Sequence, residues 1–103
     1  PPSNVMQVIP AKAPAAPTIT DVSGSENSIT IKFTEGATNG SPITNYKYST
    51  NGGLKWTLRR PVSAVSPLIV SRLTTGVPYS VKIKAINAKG VSVESVEPFS
   101  ITL

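Results

Sequence analysis

At 103 residues the chain is one domain's worth of sequence, able to bury roughly two-thirds of the surface its unfolded form exposes, and a second folded domain does not fit. Histidine and cysteine are both absent, which excludes disulfides, thiol nucleophiles, imidazole or thiolate metal sites and the commonest general base. Ten basic residues against five acids (Asp21, Glu26, Glu35, Glu94, Glu97) give a net charge of +5, the one composition-level hint of a partner, and only thinly supply paired-carboxylate catalysis or a calcium cage.

Ten prolines and seven glycines in a chain only 15% charged fit an all-β domain with many turns better than a helical bundle. No stretch approaches the ~20 apolar residues of a membrane helix. Residues 1–16, with prolines at 1, 2, 10 and 14 and an Ala-Pro run, are expected to form a semi-rigid linker, leaving 17–103 as the folded domain. The apolar patch Val5, Met6, Val8, Ile9 reads as linker hydrophobicity, or as an extra edge strand or a contact with a preceding domain; Pro10 would end a strand there. The chain begins without Met, as a piece of a longer protein would.

From Pro17 onward, short runs of β-branched and aromatic residues alternate with turn residues. The first run is Thr18 to Val22. The second, Ser28 to Thr34, places Ile29, Ile31 and Phe33 on one face and Thr30, Lys32 and Thr34 on the other. After a Gly, Asn and Pro loop comes Ile43 to Ser49, where Tyr46 and Tyr48 oppose Asn45, Lys47 and Ser49. The turn Asn51 to Gly53 predicts a hairpin into Leu54 to Leu58. Pro67 to Leu73 is the fifth run. The sixth is the longest: Tyr79, Val81, Ile83 and Ala85 alternate with Ser80, Lys82, Lys84 and Ile86, before a turn at Asn87 to Gly90. A last strand runs from Val91 to the end, in two parts around Pro98. The expectation is a seven-stranded antiparallel Greek-key β-sandwich.

The segment LTTGVPYSVKIKAINAKGVS, Leu73 to Ser92, carries the most specific pattern: Leu73, then Tyr79, Val81, Ile83, Ala85, Asn87 and Gly90. With Pro17 and Ile43 to Tyr48, it resembles the fibronectin type III family of immunoglobulin-like sandwiches over about residues 14–103. The resemblance implies a tyrosine corner, in which the Tyr79 hydroxyl bonds backbone near Leu73. Many family members carry tryptophan where Phe33 stands, so a smaller core centre is expected, filled by Tyr46 or Tyr48. No Arg-Gly-Asp triplet is present; the resemblance therefore implies the fold and a role as spacer or interaction module, and no specific receptor.

Residues 49–56, STNGGLKW, resemble one Asp-box hairpin of the sialidase propellers, with Asn51 in place of aspartate. A single copy supplies no propeller, so a tight hairpin is expected, with glycines at positive φ and Asn51 bonding the turn. One residue of register decides the orientation of Trp56: a three-residue loop pairs it with Tyr48 facing the core, a two-residue turn sets it opposite Lys47 on the outer face. Burial in the core, or at a partly covered edge, is the expectation for a tryptophan.

Alternation sends Lys47, Lys82 and Lys84 outward, and the hairpin adds Lys55, Arg59 and Arg60. Together with Trp56 they form a candidate partner-binding face for an acidic or neutral polysaccharide or another protein, partly offset by Glu94 and Glu97; the competing reading is a solvated face that keeps a sheet edge soluble. Nucleic acid is disfavoured by the absence of interleaved aromatic platforms. No catalytic residue, cofactor or metal site is found, since no nucleophile has an activating base. Asn39-Gly40-Ser41 is a formal glycosylation sequon weakened by Pro42. The sequence therefore predicts a non-catalytic, monomeric module of a surface, secreted or virus or phage particle protein, touching its flanking domains or mediating adhesion. The alternative is a carbohydrate-binding accessory module using Trp56.

Overall fold

The computed structural model describes residues 12–95 and 99–103. Among the described residues, eight antiparallel strands run in the order β1 (Thr18–Gly24), β2 (Ile29–Thr34), β3 (Ile43–Ser49), β4 (Thr57–Leu58), β5 (Leu68–Val70), β6 (Pro78–Asn87), β7 (Gly90–Val91) and β8 (Phe99–Thr102). One sheet has the order β1-β2-β5; the other has β4-β3-β6-β7, with β8 also on β6. The two sheets enclose one core of Ile19, Ile29, Ile31, Phe33, Ile43, Tyr46, Leu68, Val70, Val81, Ile83 and Ala85.

The alternation in β2 and β6 is obeyed. Ile29, Ile31 and Phe33 are buried, as are Val81, Ile83 and Ala85, because a strand presents every second side chain to one face. Tyr46 fills the core centre against Phe33, with ring centroids 4.5 Å apart and planes tilted by 55°, an arrangement that aromatic quadrupoles favour. Its phenol oxygen is buried and has no hydrogen-bond partner among the described residues.

In β3 the alternation fails in an instructive way. Asn45 and Ser49 were assigned outward by period two, yet both are buried. The β3–β6 register shifts between Ile43 and Asn45, and each polar side chain is covered by a loop that it holds. The Asn45 amide donates to Arg59 O at 3.1 Å and accepts from Ser63 N at 3.3 Å. The Ser49 hydroxyl donates to Asn51 Oδ1 at 2.9 Å and accepts from Asn51 N and Gly53 N at 3.3 and 2.9 Å. Buried polar groups with such partners rigidify the loops above them.

The last strand divides in two, as expected, but the divided region keeps contact with β6. Ser92 N and Ser95 N donate to Ala85 O and Ile83 O at 2.8 and 2.9 Å. Their hydroxyls accept from Ala85 N and Ile83 N at 2.8 and 3.1 Å. Two serine side chains thus replace backbone carbonyls in the ladder between β7 and β8. The break assigned to Pro98 lies outside the described residues.

Residues 12–16, placed in the linker by composition, are instead bonded to the sandwich. Lys12 N donates to Asn39 O and Ala15 N to Ala37 O, at 3.1 and 2.9 Å, and Pro14 is buried. Gly36 permits this approach: a Cβ there would stand 2.5 Å from Ala16 O. The linker reading of residues 1–11, including the Val5, Met6, Val8 and Ile9 patch, falls outside the described residues.

Candidate functional site

The hairpin after β3 is longer than either register considered from sequence. Thr57 opposes Tyr48 and Leu58 opposes Lys47, so Trp56 sits outside the ladder. The turn itself has the expected chemistry: Gly52 and Gly53 take φ of 73° and 98°, and Asn51 Oδ1 accepts from Lys55 N at 2.9 Å. Gly52 N donates to Ser80 O, and Ser80 N to Thr50 O, both at 3.0 Å, which ties the turn to β6.

Trp56 is half-buried on the outer side of the β3–β6 sheet, not in the core. Its indole N–H donates to Gly53 O at 3.1 Å, and Lys84 Nζ lies 4.4 Å from the ring centroid. That contact offsets a cross-strand repulsion, because Lys84 directly opposes Lys47 in the β3–β6 register. Leu54, at the hairpin tip, is 88% exposed.

The six predicted basic residues therefore separate. Lys84 stands over Trp56 and Lys47 opposes Lys84 across the sheet, whereas Lys55 is placed only by its amide, which Asn51 holds. Lys82 is paired with Glu94, the one salt bridge among the described residues; Glu97 lies outside them. Arg59 turns away from the face and binds backbone, its Nη1 donating to Ser63 O and Val65 O at 3.3 and 2.7 Å and its Nη2 to Pro67 O at 3.0 Å. Burial pulls its pKa below the ordinary arginine value, and the nearby Tyr46 phenol opposes that shift. Arg59 is a brace for the 63–67 loop. Arg60 borders a different feature, a groove of about 770 Å³ lined by Tyr48, Arg59, Arg60, Pro61, Ser63, Pro67, Ile69, Ser71 and Arg72. Sequence reasoning missed Arg72, which follows β5 and carries no periodic signal.

The Tyr79 hydroxyl accepts from Thr74 N at 2.8 Å, and Leu73 exchanges bonds with Asn27, receiving Nδ2 on its carbonyl at 2.9 Å and donating its N–H to Asn27 O at 2.8 Å. At the other end of β6, Asn87 Nδ2 donates to Lys12 O, Thr38 O and Ser41 O at 2.8, 3.0 and 3.3 Å. Its Oδ1 accepts from Lys89 N and Gly90 N at 2.8 and 3.1 Å. In the sequon, Asn39 Nδ2 is already engaged on Ala13 O at 2.9 Å.

A three-stranded sheet facing a sheet centred on β6, with a tyrosine corner at its edge, defines an immunoglobulin-like sandwich. The model of the fibronectin type III domain matches residues 12–102, and the chain belongs to that family. Among solved structures, it is similar to the titin kinase with its flanking domains, at 28% identity and a TM-score of 0.70, over 89% of this chain and 18% of that one. It is also similar in fold to the solution structure of a fourth fibronectin type III domain from human, at 20% identity and TM-score 0.67, covering 97% of this chain and 88% of that one. Domains d3-d4 of the rat CD45 extracellular region share the fold at 18% identity and TM-score 0.66, covering 88% and 51% of the two chains. This chain thus spans less than a fifth of the titin kinase structure's length. No curated protein sequence matches it.

Proposed function

We propose that the domain is a non-catalytic spacer and interaction module of a larger protein, holding its neighbours apart and presenting them, or mediating protein adhesion. The observation that carries this reading is where the chain enters and leaves the sandwich. Lys12 is held at the Asn87 end of β6 by the Asn87 amide. Leu103 accepts from Gly76 N at 2.7 Å beyond the opposite end. Ten residues of β6 separate the two points, about 30 Å at strand rise. Neighbours attached there would be held in line on opposite poles. The family supports the reading, since fibronectin type III domains are common modules of multidomain chains and are generally non-catalytic.

The test uses the absence of cysteine. Spin labels at Lys12→Cys and Thr102→Cys, both exposed positions, should give a narrow electron-electron distance distribution near 30 Å or longer. A broad distribution, or one centred near half that value, would remove the spacer reading. We place the parent protein at a cell or particle surface, or in secretion, a reading that the CD45 likeness supports and the titin likeness does not.

A second reading rests on Trp56. Its half-exposed ring, with Lys84 over it and Lys47 opposite Lys84, is a platform on which a sugar ring could stack. Saturable binding on a glycan array that disappears in Trp56→Ala would favour a carbohydrate-binding accessory module.

A further inference from the structure

The groove beside Arg60 draws lining residues from both sheets: Tyr48 from β3, Ile69 from β5. This is the side on which each sheet ends in a short strand. β4 closes one sheet and β5 closes the other, and among the described residues β5 pairs along one edge only, with β2. A strand edge of this kind presents unpaired N–H and C=O groups to any extended chain.

Three features make the groove selective. Its lining holds Arg59, Arg60 and Arg72 and no acid. Arg59 is held on three backbone carbonyls and fixes the 63–67 wall, while Arg60 and Arg72 form no ion pair among the described residues. Arg72 also has a left-handed backbone, φ 62°, a conformation that costs a non-glycine residue and that a glycine would adopt freely. Strain kept at an exposed, charged position marks a side chain retained for what it contacts. Ile69, between two core residues of β5, points outward and is 61% exposed.

We propose that this groove docks an extended acidic segment of a partner protein, added along the free edge of β5, with Arg60 and Arg72 pairing its carboxylates and Ile69 receiving an apolar side chain. Charge complementarity selects the acidic partner. The strand edge and Ile69 select a peptide over a sulfated sugar chain, which offers neither ladder bonds nor alternating apolar groups. The site is distinct from the Trp56 surface and from the poles of β6, so its failure leaves the spacer reading intact.

The experiment is a titration of the ¹⁵N-labelled domain with a peptide of alternating glutamate and valine. The expected result is saturable shifts of the amides of residues 67–72, weakening as salt is raised. The double variant Arg60→Ser with Arg72→Gly should bind about tenfold more weakly or worse, with a melting temperature that shows it folded. Lys47→Ala with Lys55→Ala should change the affinity by about twofold or less. Equal binding by a glutamine-valine peptide, unchanged affinity in the arginine variant, or shifts confined to Trp56 and Lys84 would each overturn the proposal. So would shifts of 67–72 by a heparin oligosaccharide with none by the peptide.

Discussion

At one end of β6, Asn87 is 4% exposed and its amide binds three carbonyls on two segments remote in sequence, Lys12 and the 38–41 loop, while closing its own turn. At the other end, Tyr79 is half-buried and, among the described residues, its hydroxyl meets Thr74 alone, on N at 2.8 Å and O at 3.5 Å. Both positions belong to one sequence pattern. The difference lies in what each bond replaces: near the surface, water can substitute for a lost partner, whereas a buried amide removed from five partners strands them all. The residue that signals the family most strongly is therefore not the one on which the fold most depends.

The largest break in that comparison is Asn87→Ala, expected to cost about 3 kcal/mol in urea unfolding, because buried carbonyls and N–H groups lose partners without gaining water. Tyr46 supplies the intermediate case of a buried polar group with no partner. Burial, reinforced by Glu35 and opposed by Arg59, pushes its pKa up to about 12. The folded pKa exceeds the unfolded value of about 10, so the stability contributed by the neutral phenol is present below pH ~10 and is lost as pH rises through ~12. That loss should amount to about 3 kcal/mol and be missing from Tyr46→Phe, which at neutral pH should be no less stable than the parent. Parallel alkaline unfolding curves for the two proteins would contradict this. Tyr79→Phe comes next, at about 1 kcal/mol, for a hydroxyl bond at the surface. The smallest effect has the opposite sign: Arg72→Gly should stabilise by about 0.5–1 kcal/mol through relief of its positive φ, partly offset by the extra freedom of an unfolded glycine.

The parts of this molecule legible in its sequence are those where periodicity acts alone. β2 and β6 alternate cleanly because both lie inside their sheets and bury one face. The Phe33–Tyr46 core centre follows from the same logic. The spacing from Leu73 to Gly90 gave the family. Periodicity is silent where a loop folds back over a strand. Asn45 and Ser49 obey no alternation because the 59–63 and 51–53 segments cover them, and β4 is two residues long because Ser49 holds the turn open past the tight registers that sequence allows. Trp56 consequently lies outside the ladder, against Lys84.

The candidate site was legible as a cluster and not as a set of commitments. Trp56, Lys84 and Lys47 are related by one contact and one register pair, but which charges are engaged depends on tertiary partners: Glu94 for Lys82, three carbonyls for Arg59. Composition also misassigned residues 12–16, since an Ala-Pro run reads as a spacer wherever it lies, and only the Ala37 and Asn39 carbonyls show that it docks.

Native-state amide exchange tests the contrast between the two ends of β6 most directly. The Lys89 and Gly90 amides, both bound by Asn87 Oδ1, should exchange only through openings near the global unfolding free energy, and the Thr74 amide under Tyr79 through local opening several kcal/mol lower. Exchange of Lys89 and Gly90 as fast as Thr74 would contradict the account.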